Sequence, residues 1–219
     1  MIVVATNNGG SHLPRLLSSM ERFGTGGHRV CIVDTGSDQE ASIRMLAGLD
    51  PAKYTVTRTP YKGYDTGAYV WAYSNYQDSS YLFMHDSMEV LSSDWVSEFE
   101  SRGTDMCYYA WFDVAHGCPE QLVRLDQLGI YNPSTRACVF GPIFYARRGA
   151  LDALHNRFDL SSVIPPSKLH QMGMEIGWAM MAETCGLTIA SLGDISSFRT
   201  DVFVHEFYRT LRKFRPVRG

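Results

Sequence analysis

A chain of 219 residues that is 45% hydrophobic and 20% charged, with a formal charge of −3, has the make-up of an ordinary folded globule. That balance excludes a disordered or fibrous chain and argues against a protein whose main work is coating nucleic acid. Cys31, Cys107, Cys118, Cys138 and Cys185 form no C-x-x-C pair, which excludes a zinc knuckle and points to reduced thiols in a cytoplasmic protein. No apolar run approaches the ~20 residues that cross a bilayer, and the opening residues carry no signal-peptide pattern, so no membrane span is expected.

Met1–Ala5 is an apolar, strand-like run that stops at Thr6-Asn7-Asn8-Gly9-Gly10. Leu13, Leu16, Leu17 and Met20 then repeat at helical spacing, with Ser11 as N-cap and Pro14 in the first turn. Gly24–Gly27 ends the helix. Arg29–Val33 is a second strand, closed by Asp34-Thr35-Gly36-Ser37-Asp38. This strand–helix–strand order predicts a sheet that begins parallel. Tyr54–Arg58 is a third strand, Thr66–Tyr76 a helix, Tyr81–Met84 a fourth strand and Trp95–Ser101 a short helix. Met106–Phe112 is an aromatic fifth strand, and residues 113–137 read as irregular. Val139–Ala146 is a strand, Gly149–Phe158 and residues 171–185 are helices, and Leu187–Ser191 is a late strand. The basic tail after Asp201 reads as helical. With no repeat, low-complexity tract or linker, a single α/β domain over residues 1–219 is expected.

Three strand ends present polar clusters to what must be one sheet edge: Thr6-Asn7-Asn8, Asp34 to Asp38, and His85-Asp86-Ser87. Open α/β sheets bind ligands at that edge. Asp86, at the end of an apolar strand, is the leading carboxylate for metal ligation or catalysis. Asp34 suits a ribose hydroxyl, or equally an Asx turn that caps the next helix. Neither a P-loop nor a dinucleotide fingerprint is present.

Ile2 to Asn8, followed by Cys31 to Asp38, resembles the opening of family 2-type glycosyltransferases with the GT-A fold. Lys62-Gly63-Tyr64-Asp65-Thr66-Gly67 is similar to their Asn-x-Gly segment, and closer to the form in the rhamnan-synthesis branch. His85-Asp86-Ser87 falls where those families carry Asp-x-Asp, with Ser87 in place of the second acid. Phe140-Gly141-Pro142 resembles the acceptor-side segment. The match runs in order from residue 1 to about 190.

The resemblance implies a mostly parallel mixed sheet flanked by helices, with a nucleotide-sugar half (1–100), an acceptor half (101–200) and a basic tail (201–219). It also implies transfer of a sugar from a nucleotide diphosphate, UDP-type favoured, to a glycan or protein hydroxyl, in an inverting reaction. Asp86 would hold Mn²⁺ or Mg²⁺, with His205 as a late ligand or else an ordinary half-buried histidine. Arg209, Arg212 and Lys213 are the alternative means of neutralising the diphosphate. Glu175 stands where the family has its general base, although a glutamate near a helix start can simply complement the helix dipole. Asp65 reads as an N-cap whose loop presents Lys62 and Gly63 to the donor. Thr6, Asn7, Asn8, Asp34, His85 and Ser87 complete the donor site, with Trp111 and Gly141 on the acceptor side. The competing functions are a nucleotidyltransferase, which would want basic residues before Arg15, and a non-catalytic carbohydrate or nucleotide module with a decayed site.

Overall fold

Ile2-Val3-Val4-Ala5-Thr6 shows no polar alternation, and all five residues are buried, as a central parallel strand covered on both faces requires. The computed structural model describes residues 1–9, 12–61, 64–111, 119–135, 137–194, 204–207 and 210–214. In chain order its elements are β1 (Ile2–Thr6), α1 (His12–Phe23), β2 (Val30–Asp34), α2 (Glu40–Ala47), β3 (Tyr54–Arg58), α3 (Asp65–Asn75), β4 (Ser80–His85) and β5 (Met88–Val90). There follow α4 (Trp95–Glu100), β6 (Met106–Trp111), α5 (Pro119–Gln127), β7 (Cys138–Arg147), α6 (Arg148–Phe158), α7 (Lys168–Thr184), β8 (Ile189–Asp194), β9 (Val204–Phe207) and β10 (Leu211–Phe214).

Seven strands form one sheet in the order β3-β2-β1-β4-β7-β6-β8. The pairs β1–β2, β2–β3, β1–β4 and β6–β8 are parallel, whereas β7 runs antiparallel to both β4 and β6. The chain steps outward from β1 to β3 and then returns to β4 on the other side of β1. Strand order therefore reverses between β1 and β4, and a crevice opens there at their carboxyl ends. A second, three-stranded sheet (β5-β10-β9) stands beside that edge, with β10 antiparallel to both neighbours.

Successive residues of β1 point to opposite faces and divide the core in two. Val3 and Ala5 meet residues of α3, α6 and α7; Ile2 and Val4 meet residues of α1, α2 and α4. An aromatic chain runs through the first half: Phe83 lies 4.7 Å from Tyr69, 5.5 Å from Tyr81 and 4.9 Å from Phe144, and Phe144 lies 4.9 Å from Trp178. Arg148 fixes the start of α6 to the other end of the sheet, donating to the Tyr76 carbonyl at 2.7 Å and to the Tyr81 hydroxyl at 3.0 Å. Among the described residues no helix is long and apolar enough to cross a membrane.

Three expectations fail. Part of the span read as irregular is helix α5, which Pro119 opens; a proline is well placed there because the first helical N–H has no intrahelical partner. The tail read as helical contains β9 and β10 instead, because β5 needs an antiparallel partner and Leu211, fully buried, supplies the packing. Helix α7 starts at Lys168 rather than near residue 171, with Ser167 accepting a hydrogen bond from the His170 N–H. Glu175 is therefore well inside the helix, and its carboxylate is too far from the first turn to complement the dipole there.

Phe83→Ala should cost about 3–5 kcal/mol, since it opens a cavity and removes three aromatic contacts. Urea unfolding followed by tryptophan fluorescence would measure it, and a loss below about 1 kcal/mol would show that the core closes around the gap.

Candidate functional site

Thr6, the last residue of β1, sends its hydroxyl to Asp86 Oδ2 at 2.6 Å and so ties the ends of β1 and β4 together. The space for this bond exists because residue 9 is glycine. A Cβ there would lie 2.7 Å from Thr6 Oγ1 and 3.0 Å from Asp86 Oδ2. The loops after β1 and β2 are laced in the same way. Asn7 Nδ2 donates to the Thr35 carbonyl at 3.4 Å, and the Asn8 N–H donates to Ser37 Oγ at 2.8 Å. Asn8 Oδ1 accepts the N–H groups of Asp38 and Gln39 ahead of α2, while Asn8 itself takes a left-handed φ of 50°. Asparagine tolerates that conformation better than most residues, which explains its presence there.

A cavity of about 340 Å³ lies at this edge. Of the residues singled out in the sequence, Thr6, Asn7, Asn8, Asp65, His85, Asp86, Ser87, Gly141 and Glu175 all line it. Asp34 does not. Its Oδ1 accepts the N–H groups of Gly36 and Ser37 at 3.2 and 2.8 Å and its Oδ2 faces Arg58, so the turn and the ion pair engage both oxygens. Lys62, Gly63 and Arg209 lie outside the described residues, as do the side chains of Trp111 in β6 and His205 in β9. Asp65 is not the N-cap of α3. Tyr64 holds that position without a side-chain bond, Asp65 opens the helix, and Gln171 of α7 accepts the Thr66 N–H at 3.3 Å.

Gly9, His12, Lys168, Gln171 and Met172 also line it and were not singled out as site residues in the sequence. Lys168 follows the N-cap serine of α7, and Lys213 reaches the cavity from β10. Two ammoniums and three carboxylates therefore face one another. Burial pushes Asp65 up to about 6, against the pull of Lys168 and Lys213. It also pushes Asp86 up to about 6, although the Thr6 hydroxyl and two backbone N–H groups favour its charged form. Glu175 is raised by burial too, with Lys213 and then Lys168 drawing it back down. His85 is held neutral: burial, then the two lysines, push it well below the usual histidine range. Its Nδ1 meets Ser87 Oγ at 2.8 Å, and its buried Nε2 has no side-chain hydrogen-bond partner among the described residues.

The described donors do not fit a resident divalent metal. Among the described residues, no three of His, Cys, Asp and Glu gather closely enough to hold an ion. Asp86 is the one carboxylate at the strand end, its Oδ2 already taken by Thr6. The free nitrogen of His85 is crowded by an ammonium. A Cβ on Gly141 would lie 3.5 Å from His85 Nε2 and 2.3 Å from Lys213 Nζ, so a cation bound to that nitrogen would stand beside a fixed positive charge.

No protein-family model matches the chain. No curated protein matches it by sequence. Solved structures match it by shape. GalNAc-T7 with UDP, GalNAc and Mn²⁺ superposes with a TM-score of 0.57 at 14% identity, covering 86% of this chain and 41% of that one. Glucosyl-3-phosphoglycerate synthase from Mycobacterium tuberculosis, with Mn²⁺, UDP and phosphoglyceric acid, gives 0.50 at 13% identity over 99% of this chain and 86% of that one. S. aureus TarS 1–349 with UDP-GlcNAc gives 0.50 at 14% identity over 87% of this chain and 54% of that one. The chain thus spans about half the length of the TarS structure. Its fold is the GT-A fold of these glycosyltransferases: a mostly parallel seven-stranded sheet flanked by helices.

A carboxylate whose pKa is raised from 3.8 to about 6 is costly to ionise in the folded chain, so wild-type stability falls as pH rises through that window and then levels off. Asp86→Asn should therefore melt higher than wild type at pH 7, and the two should converge near pH 3.5. Thermal melts across that range would test this; a destabilised variant at pH 7 would mean that the Thr6–Asp86 bond outweighs the burial cost.

Proposed function

We propose that the chain is a glycosyltransferase of the hexosyl-transferring kind that takes a sugar from a nucleotide diphosphate, UDP-type favoured, and delivers it to a glycan or protein hydroxyl. The observation that carries this reading is convergence. Strand ends chosen as nucleotide-binding and a helix glutamate chosen as base, far apart in sequence, face one cavity at the strand-order reversal. The GT-A fold makes a UDP-sugar the natural donor, because the neighbours with this fold hold UDP, UDP-GlcNAc or UDP with a separate sugar. Membership of family 2, and of its rhamnan-synthesis-type branch, is part of the same proposal. So are the division into a donor half (1–100) and an acceptor half (101–200), and a cytoplasmic setting, with which the free thiols of Cys31, Cys107 and Cys185 agree.

In an inverting transfer the bond from the anomeric carbon to the diphosphate oxygen breaks, and its electron pair leaves with UDP. The acceptor oxygen forms the new bond from the opposite face and surrenders its proton to a base. Glu175 is that base. Burial raises its proton affinity, and Lys213 and Lys168 oppose that rise. Thr6, Asn7, Asn8 and Ser87 surround the donor side with hydroxyl, amide and backbone groups. Asp86 takes donor hydroxyls at the strand end rather than building a metal cage.

Isothermal titration with UDP and UDP-sugars is the first test, since a chain that binds neither is a decayed module. Glu175→Gln should then slow transfer by about 10²-fold or more while changing UDP affinity by less than about threefold. Equal losses in both would make Glu175 structural.

A further inference from the structure

We infer that Lys213 stands in for the divalent metal of the donor site: its ammonium receives the diphosphate, so that nucleotide binding needs no metal ion. This rests on the glycosyltransferase reading above and names the cation that serves it.

Three observations place the charge. The ammonium lies 4.7 Å from the centre of the Phe140 ring, in strand β7. Gly141, at a φ of 66° that favours glycine, has no side chain to occupy the place of the ammonium; a Cβ there would lie 2.3 Å from Nζ as it now stands. Lys213, like Lys168, also acts electrostatically on Asp65, His85 and Glu175, so its charge is felt across the cavity. Beside it lies the buried Nε2 of neutral His85, which has no side-chain hydrogen-bond partner among the described residues and lies near the Gly141 backbone, a group that a phosphate oxygen could engage.

The lysine is carried by a strand, which fixes its position as a metal site would be fixed. The Phe214 N–H donates to the Ser87 carbonyl at 2.8 Å, joining β10 to the turn that follows Asp86. Thr210 Oγ1 donates to Glu98 Oε2 at 2.6 Å, and Leu211 is fully buried. Arg212 alternates to the other face and donates to Glu89 Oε2 at 3.3 Å. Of the two basic residues offered for direct neutralisation that the structure describes, Arg212 and Lys213, Lys213 is therefore the one that lines the cavity. A compact ammonium on a rigid strand supplies charge where it develops on the leaving group and needs little reorganisation.

The chemistry couples donor to base. In the free site the ammonium pulls Glu175 and Asp65 down. A diphosphate that engages it weakens that pull, so the proton affinity of Glu175 rises as the donor arrives.

The test is UDP binding by titration calorimetry in EDTA and in Mn²⁺, with uridine as the probe lacking phosphate. Wild type should bind UDP with the same affinity, within about twofold, in both buffers. Lys213→Met should lose about tenfold or more for UDP and leave uridine unchanged, with Lys213→Arg recovering part of the loss. UDP binding that appears only with Mn²⁺ would overturn the inference and leave the glycosyltransferase reading standing. So would Lys213→Met binding UDP as wild type does. No UDP binding in either buffer would overturn both. The comparison of buffers uses wild type alone, so it decides the matter even if the variants fail to fold.

Discussion

The hydrogen bond from Thr6 to Asp86 is the constraint on which the rest of the site depends. It joins the last residue of β1 to the first residue after β4, at the carboxyl ends of two paired strands where strand order reverses. Everything nearby accommodates it. Gly9 is small so that the bond has room, and the Asp86 N–H donates to the Ala5 carbonyl at 3.0 Å, so pairing of the two strands continues into the turn. The Ser87 carbonyl then takes the N–H of Phe214, bringing a strand from the far end of the chain to the same turn. One short polar link thus sets the geometry of both sheets where they meet.

Clustering ionisable groups at such a place carries a stability penalty. Each carboxylate of the cavity loses water, and burial is the largest influence on all three. In a core whose other members are aliphatic and aromatic, that penalty would be removed by substitution unless the charges served something outside the fold. Perturbed groups gathered in a concave site at a sheet's carboxyl edge are what a catalytic reading requires. Structural ion pairs elsewhere in this chain look different. Asp78 answers Arg29 and the N-terminal ammonium, Glu21 answers Lys53, and none of them lines this cavity.

How much of this could be read from the sequence follows from the range of the forces involved. The strand β1 and its neighbours were legible because continuous apolar runs have no other soluble home, and the polar residues that end them mark the edge. The nucleotide-side cluster followed from those ends, and Glu175 from the order of motifs. For Asp34 the structure shows the turn that the sequence allowed, with Gly36, Ser37 and Arg58 engaging both carboxylate oxygens locally. Asp65 read as a cap because local spacing allows it, whereas the actual partner of that helix end is Gln171, 105 residues away. Helix α5 is hard to see in the sequence because Pro119 resembles a breaker and Val123 is exposed.

The tail was the largest misreading, and its cause is instructive. Leu211-Arg212-Lys213-Phe214 carries two charges between two apolar residues, a pattern that suits a solvated helix as well as an edge strand. Local propensity cannot decide between them. The decision belongs to β5, three residues long, which would otherwise leave its ladder unpaired at the mouth of the site. Pairing β10 with β5 settles the conformation and also the alternation of its side chains. Arg212 turns to Glu89, and Lys213 turns into the cavity. A helix in the same place would have set its basic residues about 100° apart around an axis and could not have held one ammonium against Gly141 by backbone pairing alone. The strand is what turns a basic tail into a single positioned charge.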